Sequence, residues 1–164
     1  MFYKFAVRDV ILVCLSLVLA LYAGPFSVGV GPVSDVVGVV VGFSLGASAF
    51  VLHEWGHLVG ALITRSVLMA PPNLKSIYLF SFDSKANSRR QFLVMSGTGF
   101  VMTALCLWGA FTVLPEDQLA TRVARGIIGF LGTLAVVLEF PAVLWACLRS
   151  DLPPVETFGK KRQA

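Results

Sequence analysis

The sequence predicts an all-α integral membrane fold, with about four transmembrane helices and a short cytosolic β-like link between helices two and three. Three observations lead there. The 164 residues are 57% apolar and only 13% charged, against about 25% charged in an ordinary soluble domain. Several nearly charge-free apolar runs reach about 20 residues or more, enough at roughly 1.5 Å per residue to cross a hydrocarbon layer about 30 Å thick. The basic residues lie between and beyond those runs rather than in a basic domain, so the net charge of +4 reads as a topology signal and not as a nucleic-acid surface. The composition argues against a disordered tail and against a soluble enzyme, and residues 1–164 read as a single transmembrane domain.

The first span is expected over residues 10–23. Lys4 and Arg8 precede it as they would a signal peptide, but residues 20–24 offer no good small-x-small cleavage site, and the charge-free run continues to Ser34. It is read as a retained span. A Gly- and Pro-rich link, 24–35, leads into the second span over 36–64. Gly38, Gly42 and Gly46, then Gly56 and Gly60, recur there every four positions, a stripe that lets a neighbouring backbone come close. The long link, 65–91, contains an aromatic and aliphatic stretch over 74–82 between turn signals, which predicts a short strand or hairpin at the membrane interface. The third span is expected over 92–114, a short link over 115–125, and the fourth span over 126–148. Cys14, Cys106 and Cys147 fall inside spans at no metal or redox spacing and are read as small buried hydrophobes.

In a four-span arrangement Lys4, Arg8, Arg65, Lys75, Lys85, Arg89, Arg90, Arg149, Lys160, Lys161 and Arg162 fall on one side, and Arg122 and Arg125 on the other. Eleven against two predicts a multi-pass protein with both termini and the long link in the cytosol.

The second span carries His53-Glu54-Trp55-Gly56-His57, and these are the only two histidines in the chain. Four residues apart on a helix is about 40° around the axis and one turn along it, so both imidazoles can reach one metal ion. Glu54 projects from the flank, where a carboxylate takes a proton from a water that the metal polarises instead of binding the metal. Two histidines and four glutamates scattered at random would produce this pattern on the order of a few times in ten thousand. A charge at mid-span costs about 2.5 to 3.5 kcal/mol on insertion scales, and a divalent cation offsets it.

A catalytic zinc commonly has three protein ligands and one open position, and two imidazoles with a carboxylate suit zinc. Depth sorts the remaining acids. Counted from Thr64, His57 and His53 lie at a mean depth of about 13 Å; counted from Arg149, Glu139 lies at about 15 Å. Asp9, Asp83, Asp151 and Glu156 are expected at or beyond the cytosolic surface, and Asp35, Glu116 and Asp117 on the far side. Glu139 is therefore the expected third ligand. Pro141 removes a helix hydrogen bond to the Val137 carbonyl beside it.

With its HExxH helix, strand-like cytosolic link, Gly-containing third span and acid-bearing fourth span, the chain resembles the site-2 protease family of intramembrane zinc metalloproteases over roughly 36–152. Arg89-Arg90-Gln91-Phe92 leading into Ser96-Gly97-Thr98-Gly99 is similar to the family's approach to its Ala-Gly-Pro segment. Thr98 and Val101 stand where the family has Pro and Asn. Its Leu-Asp-Gly segment, which bears the third ligand, has two partial counterparts, Leu138-Glu139-Phe140 and Ser150-Asp151-Leu152. The resemblance implies a zinc-dependent endopeptidase embedded in the lipid bilayer, cleaving membrane-spanning segments of other proteins, with an extended substrate pairing along residues 77–82. Two alternatives stay open: a metal-handling membrane protein without hydrolysis, and an inactive relative that binds the same clients.

Overall fold

The computed structural model describes residues 2–71, 73–149 and 151–153. Pro72, one of the turn residues before the 74–82 stretch, and Ser150, Glu156, Lys160, Lys161 and Arg162 lie outside the described residues. Four long helices follow one another: α1 (Tyr3–Tyr22), α2 (Pro32–Ile63), α3 (Arg89–Thr112) and α4 (Leu119–Leu148). All four are long and apolar enough to cross a membrane. Their outward faces carry exposed large apolar side chains such as Val10, Leu15, Phe43, Trp108 and Phe130, a surface that water does not favour but lipid does.

The helices start earlier than the apolar runs. α1 takes in Lys4, Arg8 and Asp9, and α4 takes in Arg122 and Arg125, because a charged residue does not interrupt a helix whose backbone bonds can be made. α2 opens on Pro32, whose missing N–H costs nothing at a first helical position. At its other end Arg65 has a φ of 54°, a left-handed cap, and the Ser66 N–H returns to the Ala61 carbonyl at 2.8 Å. Ser88 and Gln91 form a reciprocal capping box at the start of α3. Gln91 Nε2 also donates to the Thr64 and Arg65 carbonyls at 3.1 and 3.3 Å, so one side chain ties the end of α2 to the beginning of α3.

The link between α2 and α3 holds a two-stranded antiparallel sheet, β1 (Leu68–Met69) with β2 (Ser81–Phe82), in the register Leu68 to Phe82. The expected strand over 74–82 is corrected to its last two residues, and its partner lies upstream. Residues 73–80 form an irregular segment instead. Asn87 holds the base of the link by donating from Nδ2 to the Val67 carbonyl at 2.9 Å and accepting the Val67 N–H at 2.6 Å.

α2 sits at the centre and packs on the other three helices. Its glycines form two surfaces rather than one stripe, because the ten residues from Gly46 to Gly56 turn about 80° short of three full turns. A Cβ at Gly42 would stand 2.6 Å from the Ala120 carbonyl oxygen and from Val123 of α4, whereas one at Gly56 would meet the Thr98 carbonyl oxygen of α3 at 2.7 Å. The cysteines also depart from expectation. All three are free, Cys14 and Cys147 are exposed on the outer surface and Cys106 is half-buried.

Candidate metal centre

His53, Glu54 and His57 come from the last third of α2, and Glu139 from the α4 turn before Pro141, through which the helix continues to Leu148. The structure brings Glu139 to the two histidines. Its Oε1 lies 3.0 Å from His53 Nε2 and its Oε2 3.2 Å from His57 Nε2. The two Nε2 atoms are themselves 3.0 Å apart. Among the described residues this is the group of three whose ligand atoms, all within 4.8 Å of one another, could hold a metal ion. Asp151 follows the end of α4, is exposed, and is not in the group.

The other ring nitrogens decide which atoms face the centre. His53 Nδ1 is 3.2 Å from the Gly99 carbonyl oxygen and 2.7 Å from Thr103 Oγ1, and His57 Nδ1 is 3.0 Å from the Met95 carbonyl oxygen. A carbonyl oxygen only accepts, so each Nδ1 carries its proton, and the tautomer this selects in a neutral imidazole has its Nε2 lone pair turned inward. Thr103 Oγ1 lies 3.3 Å from the Gly99 carbonyl, to which it donates while accepting from His53. Two lone pairs and a carboxylate then point at one another, and the buried Oε2 of Glu139 has no hydrogen-bond donor. Acceptors brought this close could hold a cation among them, and two imidazoles with a carboxylate are a common donor set for a divalent metal. The residues fit the ion.

Close packing on α3 makes the geometry possible. A Cβ at Gly99 would collide with the His57 ring, so the glycine clears the space that the imidazole fills. The side chains of His53 and His57 are 9% and 12% exposed and Glu139 33%, which leaves the carboxylate side of the centre open. It opens on a cavity of about 160 Å³, whose lining includes Glu54, Tyr78, Phe50, Leu131, Leu134 and Leu138. Glu54 stands beside the three-ligand group without joining it. Its carboxylate accepts a hydrogen bond from the Leu79 backbone N–H, so the 73–80 segment lies against the site from the link.

Sequence reasoning did not find Thr103, Gly99 or the Met95 carbonyl, since α3 carries no acid or histidine to draw attention to them. It also misplaced Asp9. The Asp9 carboxylate accepts from Trp55 Nε1 at 2.8 Å, which sets it level with the motif on another flank of α2. The adjacent Arg8, a compensating charge within an apolar stretch, was the available signal. Comparison with protein-family models, with curated proteins and with solved structures finds no match.

Proposed function

We propose that the chain is an intramembrane zinc metalloprotease similar to the site-2 proteases, that its substrates are membrane-spanning segments of other proteins, and that both termini and the 65–91 link are cytosolic. The observation that carries this reading is the convergence of two imidazole Nε2 atoms and the Glu139 carboxylate, beside a second carboxylate that stays outside the group. His53, His57 and Glu139 would hold a divalent ion, which would supply Lewis acidity toward a peptide carbonyl and toward water. The protein residues do the rest. Thr103 and the Gly99 and Met95 carbonyls keep both rings turned the same way, which spares the site that reorganisation during reaction. Glu54 takes the proton of the attacking water and returns it to the leaving amine nitrogen, the bond broken being the substrate's C–N amide bond.

The cavity supports a membrane-embedded substrate. At about 160 Å³ it is smaller than the roughly 300–1,000 Å³ of an ordinary small-molecule pocket, and its lining is mostly apolar apart from Tyr78 and the groups at the candidate centre. It suits one or two apolar side chains of a locally unwound segment. The expected pairing surface over 77–82 is reduced, because only Ser81–Phe82 is strand and it is already paired with β1.

One observation favours a second reading. Val101, where the family resemblance calls for an Asn, is 59% exposed on the outer face of α3 and offers no polar group to a substrate backbone, as expected of a chain that binds metal or clients without hydrolysis. Metal content of the purified chain, followed by cleavage of a reporter membrane substrate with and without chelator, decides between the two. Chelator-sensitive cleavage restored by zinc supports the protease; bound metal with no cleavage supports the second reading.

A further inference from the structure

Asp9 is 2% exposed within α1, and both its oxygens are engaged: Oδ1 accepts from Arg8 Nε at 2.6 Å and Oδ2 from Trp55 Nε1 at 2.8 Å. Trp55 stands between the two histidines in sequence, so this carboxylate fixes the motif helix from a flank that the metal centre does not use. Arg8 reaches onward. Its Nη1 donates to the Leu74 and Ser76 carbonyls at 2.7 and 2.9 Å, holding the irregular 73–80 segment on α1. Three residues later Leu79, 1% exposed, is packed in a cluster with Phe5 and Leu58, and its N–H meets Glu54. A connected path thus runs from a charged pair on the first helix, through the link, to the carboxylate beside the metal centre.

We propose that Arg8 and Asp9 are positioning residues for Glu54, clamping the 74–79 segment so that the Leu79 N–H holds one carboxylate oxygen and leaves the other free to take a proton. The proposal rests on the hydrolytic reading above. It explains why a buried acid and a guanidinium occupy an otherwise apolar helix, where a simple anchor between helices needs only close packing. The guanidinium is suited to the task because its planar fork serves the carboxylate and two carbonyls together, which a lysine ammonium cannot reproduce.

The test uses the full-length chain in proteoliposomes, with Arg8→Gln, Asp9→Asn and Arg8→Lys. Loss of positioning lowers kcat about tenfold or more at unchanged KM and unchanged metal stoichiometry, and Arg8→Lys recovers part of the loss. A second readout needs no catalysis. In a chain whose Cys14, Cys106 and Cys147 are replaced by serine, Leu79→Cys should react slowly with a water-soluble maleimide, and about tenfold faster once Arg8→Gln is added. If Arg8→Gln fails to fold, Asp9→Asn, which keeps the side chain's size and removes only its charge, should still move kcat in the same direction. An unchanged kcat in a cleaving enzyme, or unchanged labelling, overturns the proposal. If the parent chain cleaves nothing, the hydrolytic reading falls, and the labelling still decides whether Arg8 clamps the segment.

Discussion

Glu54 and Glu139 are both acids in apolar helices, and their surroundings give them different work. Glu139 faces two imidazole nitrogens at 3.0 and 3.2 Å, whereas Glu54 faces a backbone N–H. Glu54→Gln should therefore lower cleavage roughly 10²–10⁴-fold with metal still bound, while His53→Ala, His57→Ala and Glu139→Gln should lose metal as well. Elemental analysis of each purified variant checks this, and loss of metal in Glu54→Gln refutes the assignment. Asp151→Asn should leave both metal content and cleavage at the parent level, since Asp151 lies beyond the end of α4. Thr103→Val keeps the shape and removes the oxygen that accepts from His53, so metal affinity should fall about 10–100-fold; competition with a calibrated chelator measures it. The three candidate ligands were legible in the sequence because four-residue spacing and depth along a helix are properties of single elements. Thr103 and Asp9 were not, because what makes them matter is a partner 50 or 46 positions away.

At the scale of the elements, the apolar runs located all four helices, and the errors fall at their ends and in the link. Charged residues were read as link where α1 and α4 in fact continue, and a sheet of two residues per strand has too little periodicity to announce itself. The glycines of α2 were legible as close-packing positions, but a count of four does not say which neighbour each one meets. That assignment can be tested. At Gly42 a Cβ would stand 2.6 Å from backbone and side chain of α4, whereas at Gly129, within α4, it would meet nothing within 4 Å. Gly42→Ala should then destabilise the bundle by about 1–3 kcal/mol, since backbone does not yield as a flexible side chain does. Gly129→Ala should be neutral or stabilise by up to about 1 kcal/mol through helix propensity. Reversible unfolding in mixed micelles compares them; equal effects at the two sites would show that α2 and α4 do not approach as described.

For the whole molecule the question is which way the site faces. α2 has 32 residues and is about 48 Å long, well beyond a hydrocarbon thickness of about 30 Å, so one of its ends projects or the helix tilts. The candidate centre lies nearer the end that meets the 65–91 link, and Tyr78 of the 73–80 segment lines the cavity beside it. The charges are unequally divided along the same axis: Arg65, Lys75, Lys85, Arg89 and Arg90 belong to this end, as do Lys4 and Arg8, whereas Arg122 and Arg125 stand at the other, where Arg125 Nη1 is 3.6 Å from Glu116. Short, positively charged links stay in the cytosol, and the link is short enough for the rule to act. Reporter tags at either terminus or within 83–87 should therefore be cytosolic, and a tag within 115–118 should lie on the far side. Were the reporters reversed, the same helices and the same ligands would open to the opposite compartment, and metal, substrate and the Arg8 clamp would all have to be approached from there.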